Sequence, residues 1–267
     1  MFLRWINALD SRPGHLPFMR CGRDGAARGS RRHAGKTDIM RKLTSALALA
    51  MAIVVTSQAQ AADGKWQVKV LGTAVLPDGE IDKIKYVDPT VAGVLAPLDV
   101  QTKANDNVVP TLAIEYFFTP NISLETICCV TQHDVDGTRD ITGVEMVSDA
   151  KIIPATFTLK YHLDAGPIKP YVGAGPTYFI FIDEKPGAGA VAVMGASKLK
   201  MDDSLGFALQ AGVDVPINDS GMSLSLDAKK YWLSVDANWY DSTGTKLLET
   251  KHNLDPWVIS AGVGFRF

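Results

Sequence analysis

The final eleven residues, Trp257 to Phe267, alternate with a period of two. Trp257, Ile259, Ala261, Val263, Phe265 and Phe267 fall on one side, all apolar. Val258, Ser260, Gly262, Gly264 and Arg266 fall on the other, mostly small or polar. That period places successive side chains on opposite faces of a β-strand. A soluble barrel hides its bulky apolar face inside. Here the small and polar residues suit an enclosed interior and the bulky ones suit lipid. With aromatic residues at both ends of the greasy face, the stretch reads as one strand of a transmembrane β-barrel.

Seven further segments share the period: 66–76, 108–118, 121–131, 151–163, 168–182, 204–215 and 222 to about 235. The segment from Ser204 is the most regular, with Leu205, Phe207, Leu209, Ala211, Val213 and Val215 opposed by Ser204, Gly206, Ala208, Gln210, Gly212 and Asp214. Each length suits a tilted strand that crosses a bilayer. The links alternate strictly. Residues 77–107, 132–150, 183–203 and 236–252 are long; 119–120, 164–167 and 216–221 are short. The expected fold is therefore all-β: an eight-stranded antiparallel barrel with four long outer loops, three short periplasmic turns and both termini in the periplasm. Only a closed sheet can cross hydrocarbon without leaving edge N–H and C=O groups unpaired.

The barrel is expected to occupy 62–267. Before it, Met40-Arg41-Lys42, an apolar run from Leu43 to Val55 and the small residues Ala59-Gln60-Ala61 read as a secretory signal over 40–61, cleaved after Ala61. That run is too short for the roughly 20 residues of a spanning helix. Residues 1–39, Arg-rich and without apolar period, read as an upstream extension outside the fold, the rival being a transit or nucleic-acid-binding arm. Residues 1–61 hold ten of the 27 basic and three of the 29 acidic side chains, which leaves 17 against 26 and a net charge of −9. Such a balance offers no basic face for nucleic acid.

A small barrel is nearly filled by its own side chains, so the inward residues decide the function. By parity Phe117, Phe179, Phe181 and Tyr231 face in, either lining an apolar path or filling the core. A belt of inward charges accompanies them: Glu115, Lys160, Asp227 and Lys229, with Lys69, Glu125, Asp214 and His162. Buried charges need partners. Glu115 and Lys160 are placed to meet across the lumen, and Asp227 and Lys229 share one face of a strand. The belt reads as an ion-pair network that braces and plugs the barrel, with a proton or ion path as the alternative. An apolar pocket open to the outside, closed below by charge and drained sideways into the bilayer, is the expected arrangement.

Other chemistry finds little support. Cys128 and Cys129 point to opposite faces, the first to lipid and the second to the lumen. No metal-ligand spacing appears and no cofactor is expected. His133 and His252 sit at loop bases, where solvated imidazoles are ordinary, and parity brings no Ser, His and carboxylate together at one rim. Gly187-Ala188-Gly189-Ala190 reads as a flexible loop rather than a strand-to-helix phosphate loop. Apolar residues of the first long link, among them Ile84, Val91, Val94 and Leu95, are expected to pack among the other loops, the alternative being a cap over the pocket or a first contact for ligand.

Read in order, Pro170-Tyr171-Val172-Gly173-Ala174-Gly175, Leu254-Asp255-Pro256-Trp257 and Gly264-Phe265-Arg266-Phe267 resemble the OmpW family of eight-stranded outer-membrane barrels. Gly212-Val213-Asp214 and Pro154 lend weaker support. The resemblance covers essentially all of 62–267. It implies a narrow, partly hydrophobic lumen and passive movement of small apolar compounds across the outer membrane. It also implies recognition of the terminal Phe265 and Phe267 by the barrel-assembly machinery. Outer-membrane lipid and small hydrophobic ligands are the expected partners, with no catalytic step. The rivals are a closed structural or surface-interaction barrel, a lipid-modifying barrel enzyme and, as a minor option, a soluble lipocalin-like barrel.

Overall fold

The structure, a computed structural model, describes residues 64–267. The expected extension and signal segment lie outside the described residues. In chain order the elements are β1 (Trp66–Leu76), β2 (Glu80–Val87), α1 (Pro89–Leu95), β3 (Val100–Ala104), β4 (Asn107–Phe117), β5 (Ile122–Cys128), β6 (Thr131–Arg139) and β7 (Glu145–His162). There follow β8 (Lys169–Ile182), β9 (Lys185–Pro186), α2 (Ala188–Met194), β10 (Lys198–Met201), β11 (Ser204–Pro216), β12 (Met222–Trp232), β13 (Ser234–Tyr240), β14 (Lys246–Asn253) and β15 (Trp257–Arg266).

Eight strands close a ring, each antiparallel to its neighbours: β1, β4, β5, β7, β8, β11, β12, β15 and back to β1. The first and last strands seal it. They pair from Gln67 opposite Arg266 to Leu76 opposite Trp257. Trp66 and Phe267 then exchange backbone bonds, N to O, of 3.1 and 2.8 Å. The side-chain parity follows the expected pattern on every wall strand. On β11, Leu205, Phe207 and Leu209 are exposed while Ala208, Gln210 and Asp214 are buried. Cys128 is exposed and Cys129 buried. Aromatic groups gather at both ends of the outer face. Trp66, Tyr116 and Phe118 contact edge to face near the termini, and at the far end Phe207 lies beside Trp232 while Lys230 sits over Trp257.

The four long links fall where expected, and they carry secondary structure of their own. Most of their residues continue the wall as strands or form the two short helices. One sheet carries on upward as β3, β6, the first half of β7 and β9, and a second, separate sheet runs β10-β13-β14-β2. The physical reason is that an unpaired backbone in a long link costs more than one that extends an existing ladder. Gly79 joins the two sheets between β1 and β2. Its N–H donates to Asn253 O at 3.0 Å, and its φ is +72°. A Cβ there would lie 2.6 Å from the Ala104 nitrogen, so only glycine fits this crossing.

Between the sheets lies a buried apolar core. Trp239 of β13 reaches across to donate to Met146 O of β7 at 3.4 Å. Val91 and Leu95 of α1, and Ala190 and Met194 of α2, join it. The mouth expected to be open is thus packed with side chains. Ile84 and Val94, expected to pack among the other loops, stay exposed. The segment Gly187–Ala190 is also corrected: it begins α2, directly after β9, with Gly187 as the N-cap. Glu145 Oε2 already accepts from Ala188 N at 2.9 Å, and a carboxylate there would repel phosphate. His133 and His252 are buried, not solvated. His252 accepts or donates to Thr250 Oγ1 at 2.6 Å and faces Gly79 O at 3.3 Å. His133 contacts Thr131 Oγ1 and Asn105 O, both at 2.7 Å.

Candidate functional site

The lumen divides into layers because polar and apolar inward residues are sorted along each strand. On β1 the inward order from the terminal end is Gln67, Lys69, Leu71, Thr73 and Val75. On β4, read the other way, it is Phe117, Glu115, Ala113, Thr111 and Val109. Antiparallel pairing brings matching halves to the same level, so charge collects in the lower lumen and apolar groups above it.

The belt is a closed network of three ammoniums and four carboxylates, with every side chain almost wholly buried. Lys160 Nζ lies 2.9 Å from both Glu115 and Glu125. Lys69 Nζ lies 3.2 Å from Glu115 and 3.0 Å from Asp214. Lys229 Nζ lies 2.8 Å from Asp227 and 3.1 Å from Glu125. Sequence parity selected these groups but not two neutral ones that complete the set. Gln210 donates to Glu125 at 2.9 Å and to Asp227 at 2.6 Å. Tyr171 donates to Asp227 at 3.0 Å and presents its ring to Lys160 Nζ, 3.7 Å from the centroid. Their inward parity was visible, but a neutral side chain carries no sign that it will meet a charge.

Below the belt a pocket of about 180 Å³ opens toward the termini, lined in part by Phe117, His162, Lys169, Asp214 and Arg266. Phe117 therefore lies beneath the charges, under Arg266 at 3.7 Å, and not on an apolar path with the other three aromatics. A Ser, a His and a carboxylate do meet here, against expectation. Ser123 Oγ donates to Glu115 Oε1 at 2.5 Å, and His162 Nε2 lies 2.8 Å from both. Both partners crowd one imidazole nitrogen. A nucleophile triad instead places the acid on Nδ1 and the hydroxyl on Nε2, so this arrangement is a hydrogen-bond cluster and not that constellation.

Above the belt lies a cavity of about 50 Å³ whose walls are mainly apolar, among them Leu71, Ile127, Ile152, Phe179, Phe181 and Val258. Lys229 and Tyr231 also line it. Beside it the wall is incompletely laced. β5 pairs with β7 from Ile122 opposite Tyr161 to Thr126 opposite Phe157. Pairing of the same strand run resumes, in the same register, at Thr131 of β6 opposite Ile152. Between them Ile127–Val130 and Ile153–Thr156 have no partners across this seam, and Pro154 supplies no N–H. Ile127, Cys129, Ile152 and Pro154 all line the cavity, so the cavity abuts the gap.

An inside-out wall closed into a ring, with aromatic ends, a charged floor and an apolar chamber, defines an outer-membrane β-barrel protein. The family model of the OmpW family matches residues 62–267, and the chain belongs to that family. It is 34% identical over 209 residues to an uncharacterized outer-membrane protein, y4mB, of Sinorhizobium fredii, covering 76% of this chain and 80% of the relative. It is 28% identical to outer membrane protein W of Vibrio cholerae, over 77% of this chain and 89% of that protein. The crystal structure of the outer membrane protein OprG from Pseudomonas aeruginosa shares the fold, with a TM-score of 0.63 at 24% identity, over 76% of this chain and 96% of that one. The protein resides in the bacterial outer membrane.

Proposed function

We propose that this barrel admits small hydrophobic molecules passively and releases them sideways into the bilayer. The observation that carries the reading is the apolar cavity set directly beside the unpaired stretch of wall, above a floor of buried ion pairs. A neutral apolar molecule cannot cross that floor without stripping charges of their partners, a loss of several kcal/mol. Side chains of the core between the two upper sheets part to let it in, and the seam gives it a way out that avoids the belt. Phe179, Phe181 and Tyr231 line this path; Phe117 does not. We assign the belt a bracing and sealing role, and the terminal Phe267 the part of a signal read during assembly.

The test uses the native thiol of Cys129. Continuing the register across the gap sets it opposite Pro154, so Pro154→Cys in a Cys128→Ser background allows a reversible staple. Uptake of a small apolar compound is measured in cells with an intact outer membrane. The expected result is faster uptake with the protein than without, lost on oxidation and regained with reductant. Planar-bilayer recordings should show little ion conductance. Uptake equal with and without the protein would favour the closed structural barrel; uptake that ignores the staple would remove the sideways exit.

A further inference from the structure

The lumen hydroxyls are almost all engaged. Thr73 bonds Ser260 at 2.9 Å, Thr156 bonds Thr177 at 2.7 Å, Thr158 donates to Gln210 at 2.7 Å, and Ser225 donates to Asp214. Among the described residues three buried side-chain polar atoms have no hydrogen-bond partner: Thr111 Oγ1, Tyr231 Oη and Asp236 Oδ1. The last belongs to a carboxylate whose other oxygen binds Lys85. The first two both line the apolar cavity. Tyr231 is 1% exposed and Thr111 is 4% exposed, so water does not satisfy them from bulk. The Thr156 hydroxyl, itself bonded to Thr177, lies close to Tyr231, and the Cys129 thiol lies close to Thr111, but neither contact has hydrogen-bond geometry.

A buried hydroxyl left unpaired is costly, and native structures rarely keep one without a use. Two of them facing one greasy chamber are hydrogen-bond positions waiting for a guest. We infer that the cavity selects apolar molecules that carry one neutral hydrogen-bond acceptor, such as a ketone, ester or ether oxygen, held by the hydroxyls of Tyr231 and Thr111. This rests on the passage reading above and narrows its cargo. Lys229, also at the cavity floor, favours an acceptor head over a donor. An anionic head is disfavoured, because the belt beneath it holds four carboxylates against three ammoniums. Phe179, whose ring meets that of Tyr231 at 5.6 Å, holds the phenol in place and supplies the apolar wall for the guest's tail.

The experiment compares three guests with the full-length protein in lipid nanodiscs, each corrected for partition into empty discs. They are 2-octanone, its shape analogue 2-methyl-1-octene, in which a methylene replaces the carbonyl oxygen, and octanoate. A neutral hydrogen bond predicts about three- to tenfold tighter binding of the ketone than of the alkene, with octanoate weakest. Tyr231→Phe combined with Thr111→Val should erase the ketone's advantage, so that ketone and alkene bind equally. Thr111→Val alone, which keeps the phenol, should remove part of it. Equal binding of ketone and alkene by the wild type overturns the acceptor preference and leaves passage standing. Octanoate binding best also overturns it. If no guest binds above empty discs, the passage reading falls with it.

Discussion

Lys160 shows what a buried ammonium demands of its neighbours. It is buried from bulk solvent, and its charge is balanced by Glu115 and Glu125 at 2.9 Å with the Tyr171 ring beneath. Lys160→Met removes the cation and leaves two carboxylates short of a partner. The expected cost is about 3–5 kcal/mol, read as a lower midpoint of urea unfolding in lipid. Lys160→Met with Glu125→Gln should cost less than Lys160→Met alone, because the charges fall together. On the outer face the demand is reversed. Phe207→Arg puts a charge in hydrocarbon, at about 2–4 kcal/mol near mid-bilayer, and should depress insertion. Gln210→Lys, one face over, meets Glu125 and Asp227 and should insert almost normally; an equal defect would refute the assigned parity. These faces were legible in the sequence because a strand turns every second residue the same way. The partners were only half legible. Glu115 with Lys160 follows from both facing a narrow lumen, whereas the meeting of Ser123 with His162 depends on strand stagger, which parity does not encode.

Elements differ in how loudly their sequences announce them. β11 and β15 alternate greasy and polar residues against lipid, and their bounds follow. β13 and β14 do not. β14 buries Leu247, Leu248, Thr250 and His252, a face too polar to read as the inner side of anything, while its other face carries Glu249 and Lys251. α1 did leave a sign: Asp88 accepts from Thr90 N at 2.9 Å as the N-cap, with Pro89 following. A seven-residue helix is too short for its apolar period to stand out. The extension should also respond to acid. Burial holds the His252 imidazole below its ordinary value, against the opposing backbone bond to Gly79. Its contribution to stability is complete above the unfolded value, about 6.5. It drains away as pH falls from there toward the lower folded value, since across that window only the unfolded imidazole gains the proton. Hydrogen exchange across β14 and β2, corrected for intrinsic rates, should accelerate from pH 7 to pH 5, and His252→Asn should flatten that dependence. Unchanged protection would show that the imidazole is not the sensitive group.

The barrel wall stands taller than the membrane it crosses. β7 has 18 residues, which at about 3.3 Å each and a tilt near 40° rise roughly 45 Å, against an apolar band of about 25 Å. The surplus is the two-sheet extension, and its outer face is charged. Lys85 pairs with Asp236 at 2.5 Å, and Lys251 lies 3.6 Å from Asp82. A membrane-impermeant amine reagent applied to intact cells should modify Lys83, Lys85 and Lys200, all exposed. Lys69, Lys160 and Lys229 should react only after unfolding. No labelling of Lys83, Lys85 and Lys200 in intact cells, with labelling once the cells are broken, would place these upper sheets on the other side of the membrane.

The seam between β1 and β15 carries a consequence for the order of events in making this protein. A ribosome delivers Trp66 at the start of the barrel and β15 at its end. Until β15 has been made, β1 has one bare edge, and a bare edge cannot enter hydrocarbon. No partial cylinder can therefore board the membrane ahead of the rest. The nascent polypeptide must instead wait in water with greasy strands uncovered and prone to clump, and escorts must shield it until the two ends are ready to join.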